Sequence, residues 1–493
     1  MPADDIALLE TGIDGLDEIL RGGLPANRVY LIEGDPGTGK TTLSLQFLLE
    51  GARRGDRGLY VALAENRAEL AAVATSHGWA LEPIDIYELS TPPEGLDADS
   101  QYTLFHPSEV ELGETIKTVL EEVERTRPSR IVFDSLSEMR LLAGDPLRYR
   151  RQVLALKQFF SGKRCTVLLL DDRSQTSTEL QVQSICHGVI RLDDLSYEFG
   201  PVRRRLRVKK LRGVDFSSGY HDFVIRKGGI QVYPRFESVD FKPQLERQLV
   251  PSGLRELDDL LGGGLERGTS VLITGPAGVG KSLLSTQYAI AAAERGERSA
   301  LFVFDENLTT VHRRSASLGL QFERHIESGK ILLRQIDPGA LTPGELVHQI
   351  RRSVEREDAR IVVIDSLNGY LSSMPEERFL TIQLHELHTY LARKGVLSVV
   401  TIAQYGLIGS SNVPIEVSYL ADTVILLRCF EAEGEVRQAI SVVKKRYGSH
   451  ERTIREVGIS SGGMRVGQTL SGFRGILTGI PEYDSARAPP EPA

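Results

Sequence analysis

Gly34-Asp35-Pro36-Gly37-Thr38-Gly39-Lys40-Thr41 follows the apolar run Val29-Tyr30-Leu31-Ile32 after a single Glu33 and stands directly ahead of a helix-like stretch. The pattern G-x-x-x-x-G-K-[ST] carries meaning only in that strand–loop–helix setting. Glycines at these positions let successive backbone N–H groups turn toward one anion at a helix N-terminus. Gly275-Pro276-Ala277-Gly278-Val279-Gly280-Lys281-Ser282 repeats the pattern behind Val271-Leu272-Ile273-Thr274. Two phosphate-cradling loops in matching surroundings predict two NTPase modules in one chain. The expected ATP contacts are Gly34, Gly37, Thr38, Gly39, Lys40, Thr41 and Thr42 in the first, and Gly275, Gly278, Val279, Gly280, Lys281, Ser282 and Leu283 in the second. Lysine at this place reaches the β- and γ-phosphates, and the hydroxyl of Thr41 or Ser282 can hold Mg²⁺.

The duplication spreads outward from the loops. Gly12-Ile-Asp-Gly-Leu16-Asp17 enters the first and Gly253-Leu-Arg-Glu-Leu257-Asp258 the second, at the same spacing to the lysine. Downstream, Gly58-Leu-Tyr-Val-Ala-Leu-Ala64-Glu65-Asn66 matches Ala300-Leu-Phe-Val-Phe-Asp305-Glu306-Asn307. Further on, Arg130-Ile-Val-Phe-Asp134-Ser135-Leu136 and Arg360-Ile-Val-Val-Ile-Asp365-Ser366-Leu367 each read as a buried parallel strand ending in a carboxylate. Strand patterns alternate with helical ones throughout, so the fold class is α/β, with mostly parallel sheets in two tandem P-loop NTPase domains. With 493 residues, the chain divides best into domains at 1–240 and 241–480, joined by the polar stretch Val239 to Val250. Residues 481–493, rich in Pro and Ala, are expected to form a disordered tail.

Composition removes other classes. No apolar run approaches the ~20 residues that span a bilayer. Met-Pro-Ala-Asp-Asp at the start lacks the features of a signal peptide, so a cytoplasmic, soluble protein without membrane partners is expected. Three separate cysteines, Cys165, Cys186 and Cys429, form no C-x-x-C pair and signal packing rather than zinc or disulfides.

A bound triphosphate requires a metal, a positioned nucleophile and positive charge for the transition state. Asp134 and Asp365, at strand ends, are the acids expected to reach the metal through water; a strand-terminal acid can also simply cap a helix. Glu65 and Glu306 stand at one register after the loops and suit the role of general base, with Asp305 beside Glu306. Their plainer alternative is a salt bridge at a loop. Late in each module comes a basic triplet, Lys209-Lys210-Leu211-Arg212 and Lys444-Lys445-Arg446. Alternation puts Lys210 with Arg212, and Lys444 with Arg446, on one face. Their recurrence favours contacts to a neighbouring subunit's nucleotide over a solvated edge.

Taken together, the duplicated G-[IL]-x-x-L-D entry, both P-loops, the acids, the Asp-Ser-Leu strand ends and the late K-x-R resemble the KaiC family of RecA-like ATPases. The resemblance runs from about Gly12 to about Gly479. It implies a double-ring homohexamer with ATP between adjacent subunits. It also implies slow hydrolysis in the first ring and Ser/Thr autokinase and autophosphatase activity in the second. Ser418 matches the family's acceptor serine, while Tyr419 replaces its acceptor threonine. Ser418 is thus either a phosphoacceptor or a plain polar residue. Ala64 stands against Asp305 and His187 against Asp422, so the two modules are not equivalent.

A KaiC-like ATPase and autokinase, acting as a signalling or timing switch with an unidentified protein partner, is the leading expectation. The alternative is a RecA- or RadA-type DNA-dependent ATPase. A net charge of −8 argues against nucleic acid as a partner, since such domains carry a basic footprint. Arg203-Arg204-Arg205 and Arg150-Arg151 fit better at subunit interfaces or in solvent. A third reading, a nucleotide-gated scaffold that hydrolyses little, sits poorly with acids at both sites.

Overall fold

Tyr30 and Ile32 pack into one apolar cluster while Val29 and Leu31, between them, pack into another. A strand covered on both faces has no solvated side, which is why its sequence is continuously apolar rather than alternating. The computed structural model describes residues 7–89, 107–173, 179–196, 202–236, 248–372, 377–404, 419–478 and 481–483. The chain divides into two compact units, Met1–Arg235 with Thr342–Glu345, and Phe236–Leu341 with Leu346–Ala493.

In the first unit the strands are β1 Leu8–Leu9, β2 Leu24–Pro25, β3 Val29–Gly34, β4 Gly58–Ala62, β5 Ile84–Glu88, β6 Arg130–Asp134, β7 Thr166–Asp172, β8 Gly188–Leu195, β9 Arg203–Leu211, β10 His221–Arg226 and β11 Gly229–Tyr233. The main sheet runs β11-β10-β9-β8-β3-β7-β6-β4-β5. Pairing is parallel from β8 through β5 and antiparallel from β8 out to β11. In the second unit they are β12 Leu249–Val250, β13 Leu265–Glu266, β14 Ser270–Gly275, β15 Arg298–Val303, β16 Ile331–Gln335, β17 Ala359–Asp365, β18 Leu397–Ala403, β19 Thr423–Ala432, β20 Glu435–Lys445, β21 Arg455–Ser460 and β22 Gly463–Thr469. Read from β22 to β16, this second sheet has the same order and the same change of direction as the first. Two mostly parallel sheets with flanking helices are the tandem RecA-like α/β arrangement.

The repeat begins earlier than the entry motif. β1 pairs with β2, and β12 with β13. Leu249 and Val250, assigned to the linker by composition, therefore belong to a ladder that leads into the second domain. Asp17 accepts hydrogen bonds from the N–H and hydroxyl of Thr11, both at 2.8 Å, and Asp258 accepts from the Ser252 N–H at 2.8 Å. The acid of the L-D pair thus ties the entering strand to the first short helix. Burial pushes the Asp17 carboxyl up to about 6.

One apparent match is displaced. Counted back from Asp134 and Asp365, Arg130 is aligned with Ile361 and not with Arg360. Arg130 is fully buried, 2.8 Å from Asp56, donates to the carbonyls of Glu10 and Phe47, and stacks over Phe47. Arg360 is exposed and pairs with Asp358. Gly51 leaves the space Arg130 uses, since a Cβ there would come within 2.5 Å of the Arg130 chain. Glu482–Tyr483, placed in the tail by composition, instead pair with Phe473–Arg474, and residues 484–493 lie outside the described residues. Among the described residues no helix is long and apolar enough to cross a membrane.

Candidate functional site

Both P-loops join the C-terminal end of a central parallel strand to a helix, Lys40–Arg53 in the first domain and Lys281–Glu294 in the second. That edge of an open α/β sheet is where ligands gather. Gly37 and Gly39 adopt φ of 82° and 104°, Gly278 and Gly280 of 77° and 102°, in the left-handed region open to glycine. At Gly39 a side chain would also strike Ile225, 2.6 Å away. The helices then begin at the lysine, leaving their first N–H groups without intrahelical acceptors.

In the first domain Lys40 is buried, and its ammonium donates to the carbonyls of Gly34 at 2.9 Å and Asp35 at 3.1 Å. The Thr41 hydroxyl lies 3.4 Å from Asp134 Oδ2, which also accepts a short hydrogen bond from the Tyr60 hydroxyl. Thr38 closes the loop by donating to the Asp35 carbonyl at 2.7 Å. Glu65 stands at the end of the loop after β4, where Asn66 caps the next helix through a reciprocal pair with Glu69. Its Oε2 is buried and accepts no hydrogen bond among the described residues. Burial, and secondarily the charge of Asp134, raise the Glu65 carboxyl; burial also raises Asp134.

The second domain repeats the frame with different anchors. Lys281 donates to the carbonyls of Gly275 at 3.0 Å and Pro276 at 2.6 Å, and burial lowers its pKa. Asp365 is held by the Thr401 hydroxyl from β18, whereas Asp134 is held by Tyr60 from β4. Asp305 accepts from the Ser366 hydroxyl. Glu306 is ion-paired with Arg314, so it has the loop salt bridge that Glu65 lacks among the described residues. Leu63 and Phe304 donate their N–H groups to the carbonyls of Asp134 and Asp365, both at 2.7 Å, which gives Glu65 and Glu306 one register.

The late basic residues lie elsewhere. Lys210 donates to the carbonyls of Gln183 at 2.8 Å and Cys186 at 2.7 Å, and Arg212 to that of Ser184 at 3.0 Å. Lys444 donates to the Ala421 carbonyl at 2.6 Å, and Arg446 pairs with Asp422 at 3.0 Å. Lys210 opposes Val189, which pairs beside Leu31; Lys444 opposes Val424, which pairs beside Leu272. Each K-x-R pair therefore sits near the opposite end of the central strand from its own P-loop, roughly 10–16 Å along it. His187 and Asp422 occupy one structural position: Val29 donates its N–H to His187 Nδ1 at 3.1 Å, and Ser270 its N–H to Asp422 at 3.0 Å. With His187 there, Arg212 lacks the carboxylate that Arg446 finds. Ser418 lies outside the described residues; Tyr419 beside it is exposed.

One polar residue of the first site was not anticipated. Asp172, the last residue of β7, lies 2.8 Å from the Lys40 ammonium. The signal was Asp171-Asp172-Arg173 closing an apolar run, where the second domain has Ile402-Ala403-Gln404. Strand pairing across the sheet was needed to align them.

Fold and loops together define a tandem P-loop NTPase of the RecA-like class. The sequence model of the family described as "ATPase: KaiC" matches residues 9–237 and, a second time, 250–471. The chain belongs to the KaiC ATPase family. It is 27% identical to the circadian clock protein KaiC3 of Synechocystis sp., covering 97% of this chain and 95% of that protein. It is also 27% identical to the circadian clock oscillator protein KaiC of Picosynechococcus sp., over 96% and 92% of the two chains. Identity to the oscillator protein KaiC 1 of Synechocystis sp. is 25%, over 98% and 93%.

Proposed function

We propose that both P-loops bind ATP with Mg²⁺, that the chain hydrolyses ATP at both, and that the second domain also transfers phosphate to Ser418. The observation that carries this reading is the recurrence, in each domain, of a P-loop lysine facing a strand-end carboxylate, with a hydroxyl residue next in the chain and a glutamate at equal register. Thr41 with Asp134, and Ser282 with Asp365, supply hard oxygen ligands that suit Mg²⁺, directly or through water. Among the described residues no group of three or more His, Cys, Asp or Glu is placed to hold a metal. Such a sparse protein donor set suits an ion that keeps water and phosphate oxygens as its other ligands. Bound there, the ion would neutralise charge on the β- and γ-phosphates.

Lys40 and Lys281 steady the phosphates. Glu65 and Glu306 orient the attacking oxygen, water at both sites and the serine hydroxyl at the second, with Arg314 fixing the Glu306 carboxylate and Asp305 beside it. Lys210, Arg212, Lys444 and Arg446 are too far along their own sheets to reach their own loops. Their placement supports contacts to the nucleotide of an adjacent copy, and with it a homohexamer of the kind the family resemblance implies. A signalling or timing switch, read by a protein partner, is the role we assign to the nucleotide and phosphate states.

Incubation of the pure protein with γ-labelled ATP, with and without DNA, tests the reading. Expected are phosphate release, self-labelling lost in Ser418→Ala, and turnover reduced about 10²–10⁴-fold in Glu65→Gln combined with Glu306→Gln. Equal labelling of the Ser418→Ala chain would remove the acceptor assignment. Turnover stimulated by DNA without self-labelling would replace this reading with a recombinase-type one.

A further inference from the structure

The two P-loop lysines have different electrostatic surroundings. Asp172 is the register partner of Gly34, the first P-loop residue, and its Oδ1 lies 2.8 Å from Lys40 Nζ. Its other oxygen is anchored, with Ser137 Oγ donating to Oδ2 at 3.0 Å, and the Asp172 N–H donates to the same hydroxyl at 3.1 Å. The carboxylate is therefore held at the lysine from behind. At the equivalent position of β18, the register partner of Gly275 is Ala403. Lys281 makes no ion pair among the described residues and rests on two carbonyls.

Asp35 is a second acid without a counterpart, lying within the first loop where the second has Pro276. Asp134 and Glu65 face the same lysine, but Asp365 and Glu306 match them in the second domain. Arg173 stands 3.6 Å from both Asp35 and Asp193, and Arg140 pairs with the buried Asp171. These two cations are thus engaged by other acids, and Asp172 is left to Lys40.

We propose that Asp172 is an intramolecular counter-ion that competes with a terminal phosphate for Lys40, so that the first domain favours nucleoside triphosphate over diphosphate less than the second domain does. This rests on the reading of the first P-loop as a nucleotide site. A γ-phosphate adds negative charge beside a carboxylate that its serine anchor keeps in place. At an effective dielectric constant of about 40 and a separation of about 6 Å, one added like charge weakens binding about tenfold. A diphosphate, lacking that group, escapes most of the penalty. The second site, with alanine in the same place, has no such competitor.

The test measures dissociation constants for ADP and for a non-hydrolysable ATP analogue at constant Mg²⁺. Lys281→Ala silences the second loop, and Asp172→Asn or Asp172→Glu is added to that chain. Asp172→Asn should tighten the analogue about tenfold and ADP less than threefold, while Asp172→Glu, which keeps the charge, should bind like its parent. Conversely, Ala403→Asp in a Lys40→Ala chain should weaken the analogue selectively. Equal changes for both nucleotides, or Asp172→Glu behaving like Asp172→Asn, would overturn the proposal and leave Asp172 a structural residue. If the Lys281→Ala parent binds neither nucleotide, the assignment of the first loop as a nucleotide site fails, and the proposal with it.

Discussion

Glu65 combines a buried oxygen that accepts no hydrogen bond among the described residues with a carboxyl raised chiefly by burial and then by Asp134. A base must be deprotonated to act, so its contribution is lost as pH falls through its own pKa. With Lys281→Ala silencing the second loop, turnover should therefore rise with pH over a window above the ordinary glutamate range. A limb at the ordinary range would count against Glu65 as the base. Asp17 titrates in the opposite sense for stability. Its folded pKa, about 6, lies above the ordinary aspartate value, so folding favours the protonated acid. That contribution is complete below about pH 4 and is lost as pH rises through about 6, on the order of 3 kcal/mol. Asp17→Asn should flatten the pH dependence of the urea midpoint across that window. An unchanged slope would show that Asp17 titrates normally. Both acids were legible in the sequence as motif positions. Their protonation was not, because desolvation depends on what the rest of the chain lays over them.

At the scale of elements, the strand ends and helix starts were the most readable features. The helices at Lys40 and Lys281 begin where the P-loop pattern places them, and Asn66 and Asn307 cap the helices directly after the two glutamates. The strand leading to Asp134 was readable too, but the role of its first residue was not. Arg130 is enclosed by Asp56, Phe47 and the chain at Glu10, with Gly51 leaving room. Truncating this fully buried side chain leaves a cavity and takes the donors from two carbonyls, so Arg130→Ala should destabilise the first domain by about 2–5 kcal/mol. Arg360→Ala, at an exposed position, should cost well under 1 kcal/mol. Urea unfolding of the two variants checks the contrast, and comparable losses would refute the alignment that separates them.

For the whole molecule, the decisive geometry is the distance between each P-loop and the K-x-R pair of its own domain. If those cations serve an adjacent copy, a chain with Lys40→Ala and a chain with Lys210→Ala and Arg212→Ala are each defective at different halves of one interface. Mixed and allowed to exchange, with the second loops silenced in both, they should recover a fraction of first-site turnover that neither shows alone. No recovery in demonstrably mixed oligomers would return the K-x-R residues to a structural role.

The sequence by itself determined the duplication, the α/β class, both P-loops, the strand-end acids and the shared register of Glu65 and Glu306. All of these are local patterns, each written within a strand, a loop and the start of a helix. The tertiary structure alone decided what stands beside them. It set Asp172 at Lys40, Tyr60 and Thr401 on corresponding acids from different strands, and Arg130 rather than Arg360 in the interior. Those partners come from strands far apart in the chain, and only sheet register brings them together. A shift of one residue along such a strand would turn every side chain to the other face of the sheet and give it different partners.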